Sequence, residues 1–420
     1  MIKDIFERIK NTPGPLGQYQ QIGDGYFMFP LLEGEVGPEM KFNGKKVLNW
    51  SLNNYLGIAN LPEVREADAN AARDFGFGAP MGARMLSGNT AYHIKFEKDF
   101  ANFIGKPAGY LLNFGYQGMV SIIDVLSSRN DVIVYDSESH ACILDGMRLS
   151  LAKRFTFRHN DMVSLEKQLN HACKLADEQG GGVLVITEGV FGMAGDLGHL
   201  ADIVELKQKY PFRILIDDAH GFGTMGATGQ GAAEHYGVTD QIDVIFHAFA
   251  KSMASIGGVV SSEPEIIQHL RFNMRSQIYA KSLPLPLVIG NMKRLEIIKN
   301  HPEYRTKLWE ITNALQDGFR AEGFNMGNTE SPVTPIYFEG DVAEGTNVVI
   351  DLRENYGIFC SIVTYPVVPK GQLMLRIIPT AAHTLEQVKR TIEVFKEVKA
   401  KLDAGQYKRE IQNMNLFQHS

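Results

Sequence analysis

The stretch Ile242-Asp-Val-Ile-Phe-His-Ala-Phe-Ala-Lys251-Ser-Met-Ala-Ser-Ile-Gly-Gly258 decides how this chain is read. An apolar, β-branched run ends in one lysine, and small residues and glycines follow at once. That is the pattern of a buried strand whose carboxyl end delivers an amine, where burial can lower a pKa and leave a nucleophile. Alone, such a lysine is more simply a strand cap that points to water. The preceding apolar strand, however, ends in Asp217-Asp-Ala-His220. Lysine, aspartate and histidine at neighbouring strand ends are what a pyridoxal phosphate site requires: an amine for a Schiff base and a carboxylate to keep the pyridinium nitrogen protonated, so that the ring becomes an electron sink.

Working outward, apolar strands are expected at Val132 to Tyr135, Val183 to Thr187, Arg213 to Asp217 and Val244 to Phe249, with helical stretches between them. That alternation predicts an α/β fold with a mostly parallel sheet covered on both faces, and ligands then bind beyond the carboxyl ends of the strands. The residues delivered there are Asp136, Glu188, Asp217 with His220, and Lys251. Before this unit (61–290) lies an arm, 1–60, with a helical pattern at its start and a hairpin turn at Asn43-Gly44. After it, 291–420 reads as a smaller α/β unit. It has helical patterns around 291–322 and 344–356, strands at Val333 to Phe338 and Leu373 to Ile377, and a last helix opened by the capping box Thr384 to Gln387. That helix aligns Leu385, Val388, Ile392, Phe395 and Leu402 on one face. The tail after Gly405 is polar and expected to be loosely ordered.

Bulk properties exclude several classes. The 420 residues are 44% hydrophobic with a net charge of −6, which is globular and gives no basic stripe for nucleic acid. Three cysteines, Cys142, Cys173 and Cys360, lack the spacing of a disulfide framework or a zinc site, so no metal is expected and a cytoplasmic location is. No apolar run reaches the ~18 residues of a membrane helix. A lipid-like substrate, and with it peripheral membrane association, stays open.

Gly221-Phe-Gly223-Thr-Met-Gly226 matches the dinucleotide pattern GxGxxG, but the apolar helix that should follow is missing, and Asp243 precedes a strand instead of ending one. A nicotinamide enzyme is therefore the weaker reading. Asn113-Phe-Gly115-Tyr116-Gln-Gly118 opens a helical pattern whose N–H groups could hold a phosphate; a plain glycine-rich loop is as good an account of that run alone. His140, just past a strand end, could stack on a planar cofactor, although a surface histidine is the simpler reading. Arg376 lies in an apolar strand and needs an anion, either a protein carboxylate or that of a substrate.

Taken together, these residues resemble the α-oxoamine synthase family of fold-type-I pyridoxal phosphate enzymes, over about residues 40–400. The likeness rests on Asn54-Tyr-Leu-Gly57, Gly82-Ala-Arg-Met-Leu-Ser-Gly88, Asn113 to Gln117, Asp136 to His140, Thr187 to Asp196, Asp217 to Gly223, Ala250 to Gly258, and Leu375-Arg376 with Ala382-His-Thr384. It implies a large domain with a seven-stranded, mostly parallel sheet and a smaller C-terminal domain. Lys251 would carry the cofactor and move the Cα proton, Asp217 would pair with the ring nitrogen, His140 would stack on the ring, and His220 would lie near the phenolic oxygen. Gly115 and Tyr116 would meet the phosphate, Arg376 the substrate carboxylate, and Asn54 and Arg84 are further substrate-binding candidates. A homodimer with shared sites is implied, with Asn54 and Ser282 reaching the neighbouring site.

The departures are specific. The family's Gly-Thr-Phe-Ser-Lys is here His247-Ala248-Phe249-Ala250-Lys251, so two phosphate-binding hydroxyls are gone, and the expected Ser near the ring oxygen is Gly192. The replacements expected are His247, with Lys281 and Ser282 of the partner chain; Lys281 would also suit an acidic substrate group. The wording of the chain looks most like sphingolipid- and sulfonolipid-type synthases of bacteria. That implies condensation of cysteate or serine with a long-chain acyl thioester of CoA or acyl carrier protein. Glycine C-acetyltransferase and 7-keto-8-aminopelargonate synthase are the alternatives within the family. An aminotransferase is the alternative from another class, and a non-enzymatic regulator is disfavoured because no DNA-binding module is appended.

Overall fold

The computed structural model describes residues 4–12, 17, 23–365 and 367–408; most of the tail beyond Gly405 lies outside them. The leading arm contributes a helix, Ile5–Lys10, and three strands: β1 (Leu32–Glu33), β2 (Glu39–Phe42) and β3 (Lys45–Asn49). Asn43 and Gly44 join β2 to β3 with φ of 50° and 73°. A two-residue hairpin loop needs positive φ at both positions, which is why Asn-Gly is found there.

The central sheet has seven strands: β4 (Ala108–Leu112), β5 (Val132–Asp136), β6 (Lys153–Phe157), β7 (Val183–Glu188), β8 (Arg213–Asp217), β9 (Val244–Ala248) and β10 (Gly258–Ser262). Their order is β4-β10-β9-β8-β7-β5-β6, with β10 antiparallel to both neighbours and every other pairing parallel. Side chains alternate between faces along each strand. In β8, Ile214 and Ile216 join the core formed with Phe96, Leu165 and Val288, while Leu215 joins the opposite core with Met119, Ile122 and Ile143. Both faces are thus closed by helices, and the strands read as continuous apolar runs for that reason. The predicted parallel α/β sheet is what forms.

The C-terminal part adds β11 (Thr334–Glu339), β12 (Ile358–Phe359), β13 (Ser361–Val363) and β14 (Gln372–Ile377). β14 lies between β11 and β13, antiparallel to each. β12 pairs instead with β3 of the arm, in parallel. Trp50 enters the same core as Ile377, Val388 and Phe395, so the arm completes the C-terminal layer despite its place in the sequence. The single helical pattern at 291–322 is two helices, Leu285–Asn300 and Glu303–Ala321, separated at His301-Pro302. The capping box at Thr384 and Gln387 forms as read, whereas Leu385 is an exposed first residue instead of part of the buried stripe.

The GxGxxG run is a series of turns, with Gly223 and Gly226 at φ of 76° and 83°, and no helix begins until Ala232. Among the described residues no helix is long and apolar enough to cross a membrane. Ile216, fully buried in β8, tests the sheet core. Ile216→Ala is expected to cost ~2–5 kcal/mol in a urea midpoint measurement, whereas exposed Val163→Ala stays within ~0.5 kcal/mol.

Candidate active site

Strands β7 and β8 end level with each other, because Glu188 and Asp217 are register partners. Both carboxyls are buried, 5% and 6% exposed. Asp217 Oδ1 accepts the Ala219 N–H at 3.1 Å, and Oδ2 accepts from Cys142 Sγ at 3.7 Å. Burial raises the pKa of Asp217; the nearby Lys251 ammonium and the Ala219 N–H oppose that rise. Glu188 is raised well above the carboxylate range by burial and then by the charge of Asp217. The β7–β8 pair therefore favours one charge, carried on Asp217.

His140 caps the helix Ala141–Leu149, its Nδ1 accepting the Cys142 N–H at 3.2 Å. Its own N–H donates to Glu188 Oε1 at 2.6 Å. Burial lowers its pKa, Asp217 works against that, and Lys251 adds to it. Asp217, His140 and Lys251 are thus close enough for Lys251 to act on both of the others. The Tyr116 ring meets that of His140 edge to face, centroids 6.1 Å apart, and its hydroxyl donates to Asp145.

On the other side, His220 Nδ1 lies 2.8 Å from the Tyr55 hydroxyl. Tyr55 is fully buried, and burial pushes its pKa up to about 12. Burial, then Lys251 and Arg376, hold His220 well below its ordinary value, so the ring is neutral. The Arg376 charge beside Tyr55 works against the rise at that hydroxyl, and the neutral His220 turns Nε2 toward Gly192. A Cβ added at Gly192 would fall 2.3 Å from His220 Nε2, so the missing serine is the cost of that close approach. The Gly192 carbonyl accepts from Arg376 Nε at 2.7 Å, and Asn53 Oδ1 accepts from Nη2 at 3.2 Å. Among the described residues no carboxylate accepts a hydrogen bond from Arg376, which favours the substrate-carboxylate reading of that strand arginine.

The helix Gly115–Leu126 starts against β9: a Cβ on Gly115 would lie 2.7 Å from Ala248 Cβ. A helix N-terminus, a buried carboxylate, an imidazole face and a lysine amine converge here, and the close packing of Gly115 leaves the first N–H groups uncovered by side chain. This donor set fits pyridoxal phosphate: Gly115 and Tyr116 for the phosphate, Asp217 for the ring nitrogen, His140 for the ring face, Lys251 for covalent attachment.

Two expectations are corrected. His247 cannot replace the lost hydroxyls, because consecutive residues of β9 face opposite sides and Ala248 is the one turned to Gly115. His247 is fully buried between the Phe100 and Phe222 rings, centroids 5.4 and 5.2 Å away, and burial pushes its pKa down to about 3. Its 4.0 Å approach to Asp218 is therefore not an ion pair. Arg84 offers no free guanidinium: Nη1 and Nη2 bind Glu97 at 2.8 and 3.1 Å, and Nε binds Asn89 at 2.8 Å. It holds the Gly82–Gly88 loop. Ser282 Oγ donates to the Gly82 carbonyl at 2.9 Å. The exposed Lys281 has its backbone carbonyl held by Asn113 Nδ2 at 2.7 Å, near the helix start at Gly115, while its amine donates to the Phe77 carbonyl at 3.4 Å. Asn54 is buried with Oδ1 unpaired, next to Asn53 that meets Arg376.

Tyr55, Asn53, Glu188 and His159 were not assigned roles from sequence. Tyr55 lay inside a quoted motif and Glu188 among the strand ends, but nothing local distinguishes a relay from a core tyrosine. His159 bonds Asp136 at 2.9 Å and Asp196 at 2.5 Å, tying the end of β5 to the loop that carries Gly192. Burial alone would lower its pKa, but the two carboxylates outweigh that and push it up to about 10.

The profile of the class I and II aminotransferase family matches residues 45–395. The chain is 56% identical over 407 residues to a cysteate-C-fatty acyltransferase of Capnocytophaga ochracea, covering 97% of each. It is 38% identical to a serine palmitoyltransferase of Bacteroides thetaiotaomicron, covering 88% of this chain and 91% of that one. The structure superposes on serine palmitoyltransferase of Sphingomonas wittichii with a TM-score of 0.88 at 27% identity, over 96% of this chain and all (100%) of the other. The chain belongs to the class I and II aminotransferase family and, within it, to the α-oxoamine synthases.

Tyr55→Phe removes the buried O–H between Arg376 and His220 and is expected to lower kcat/KM ~5–30-fold in steady-state assays. His159 has a raised folded pKa, so its stabilisation is complete below 6.5 and is lost as pH rises through about 10. The destabilisation by His159→Gln, read from denaturant midpoints, should therefore shrink between those values.

Proposed function

We propose that this chain condenses cysteate with a long-chain acyl thioester, releasing CO₂ and free thiol and leaving a 3-keto amine that keeps the sulfonate. The observation that carries the substrate is the 56% identity, over 97% of both chains, to a cysteate-C-fatty acyltransferase. Serine, the substrate class named by the 38% identical relative, is the second reading. The acyl donor is a thioester of CoA or of acyl carrier protein.

Bound pyridoxal phosphate supplies the electron sink for a carbanion at the substrate Cα. The protein's part begins with Arg376, whose guanidinium orients the amino-acid carboxylate. Lys251 removes the α-proton and later returns one to the product carbon. Asp217, charged in a buried setting, would hold a proton on the ring nitrogen of the bound cofactor, and His140 would supply the imidazole face for its ring. His220, neutral with Nε2 turned toward Gly192, offers a hydrogen bond to an oxygen on that side. New C–C bond formation at the acyl carbon expels the thiolate, and loss of the carboxylate as CO₂ makes the sequence irreversible.

The phosphate is assigned to the N–H groups of Gly115 and Tyr116, with Lys281 supplying the charge that the missing hydroxyls do not. Lys281 is the group best suited to a sulfonate if the phosphate is held without it. We assign the active form to a homodimer. Phe77, Met81, Leu86 and Tyr279 are exposed apolar residues on the same loops as Gly82, Lys281 and Ser282, and a second copy would cover them and bring Asn54 and Ser282 to a shared site. The three cysteines are all free, which suits a reducing cytoplasm.

The test is thiol release by purified holoenzyme given palmitoyl thioester with cysteate, serine, glycine or alanine. Cysteate is expected to give the highest kcat/KM, at least ~10-fold above serine, with thiol release and the visible cofactor band both lost in Lys251→Ala. Turnover with glycine alone would sink the lipid-synthase reading. Higher kcat/KM for serine would move the assignment to the second reading.

A further inference from the structure

Two strand-end acids have no part in the mechanism: Asp136, which is taken up by His159, and Glu188. Glu188 is buried beside Asp217, and its Oε1 accepts the backbone N–H of His140 at 2.6 Å. Two residues on, Cys142 N–H donates to His140 Nδ1 at 3.2 Å, while Cys142 Sγ stands 3.0 Å from that nitrogen and 3.7 Å from Asp217 Oδ2. The contacts form a closed circuit. It leaves the end of β7 through Glu188, passes through His140 and Cys142 at the start of the helix Ala141–Leu149, and returns to the end of β8 through Asp217.

We propose that Glu188 is a positioning residue for the condensation: as the acceptor for the His140 N–H it fixes the His140 ring over the cofactor site, and Cys142 closes the same clasp on Asp217. The inference rests on the pyridoxal phosphate reading above. A carboxyl is a costly way to accept one backbone N–H in a dry site, where a polar group without charge would serve. The charged groups acting on Glu188 are Asp217, Asp136 and Lys251; two of the three disfavour a charge there. Burial and those acids push the Glu188 carboxyl up, against the pull of the His140 N–H and Lys251, so the charge that faces the ring nitrogen is left to Asp217. Two carboxyls so close can share the site only if one gives up its charge. The circuit assigns that part to Glu188. The pair thus fixes geometry with one member and charge with the other.

The distinguishing variants are Glu188→Gln, which keeps a neutral acceptor, and Glu188→Leu, which strands the His140 N–H. Each is compared as purified holoenzyme, by steady-state kinetics and by titrating the visible cofactor band with pH. Glu188→Gln is expected to retain about a third or more of kcat with the wild-type band. Glu188→Leu should lose ~10-fold or more in kcat, with KM for the amino acid within about twofold, and shift the pH midpoint of the band by about half a unit or more. If Glu188→Leu does not fold, Cys142→Ala carries the test, with the same direction of shift and a ~2–5-fold loss of kcat. An unmoved band midpoint in the folded variant overturns the proposal, as does a Glu188→Gln enzyme as impaired as Glu188→Leu. Wild-type protein that binds no cofactor and releases no thiol would overturn the functional reading and this inference together. A normal wild-type band and turnover alongside unmoved variants would overturn this inference alone.

Discussion

A carboxylate kept charged where the sheet excludes water is the constraint on which this site depends. Asp217 ends the central strand of a sheet packed on both faces, and its desolvation must be repaid by nearby donors and positive charge. Lys251 supplies the charge, the Ala219 N–H and the Cys142 thiol supply donors, and His140 lies close enough to be shifted by the result. Three elements bring these groups there: the turn after β9 carries Lys251, the turn after β8 carries Ala219, and the start of the helix after β5 carries both His140 and Cys142. The parallel order β9-β8-β7-β5 is what makes those turns neighbours. Fold and chemistry are therefore the same constraint seen at two scales.

The second half of the site hangs on an arginine treated differently. Arg376 sits in β14, outside the central sheet, and reaches Gly192 and Asn53 across the space between the layers. Its hydrogen bonds go to a carbonyl and an amide oxygen, which orient the fork without cancelling its charge. By contrast the more deeply buried Arg84 has its fork closed by Glu97. The two arginines look alike in sequence, and only the partner's identity separates a binding group from a structural one. Breaking the Arg84 pair would leave a buried charge, at a cost of about 3–5 kcal/mol.

Much of this was legible because strand ends in a parallel sheet are marked by abrupt changes of residue type. Val183 to Glu188, Arg213 to Asp217 and the run up to Lys251 each pass from apolar to ionisable within one residue, and each boundary falls within a residue or a few of the observed strand end. What sequence order hid was long-range pairing. The arm was read as a separate leading segment, yet β3 pairs with β12, and Trp50 stacks on His383 at 3.8 Å. His383, in a motif associated with the site, instead binds Asn49 O and the Thr380 N–H, tying the arm to the start of the last helix. His247 misled for a simpler reason. Its place near the lysine suggested a donor, but strand alternation turns it away from the helix that Ala248 faces.

Two of the three small residues that depart from the family's pattern, Gly192 and Ala248, share one physical account. At Gly192 the space of a side chain is taken by His220, and at Ala248 the methyl group already touches the start of the helix at Gly115. Hydroxyls at these two places would each add a donor, but each would also hold a neighbouring element further away. This chain takes the closer approach: an imidazole against a backbone at Gly192, and a helix N-terminus directly on the strand at Ala248. Backbone N–H groups and a fixed imidazole are rigid donors, whereas a serine or threonine hydroxyl must be ordered rotamer by rotamer. The loss of side-chain donors is thus accompanied by a gain in preorganised ones, and what remains to be supplied is charge. The Lys281 carbonyl is held by Asn113, two residues before Gly115, while its amine points to the Phe77 carbonyl at 3.4 Å. The segment that carries this lysine is therefore tied to the helix start that the missing hydroxyls would have served.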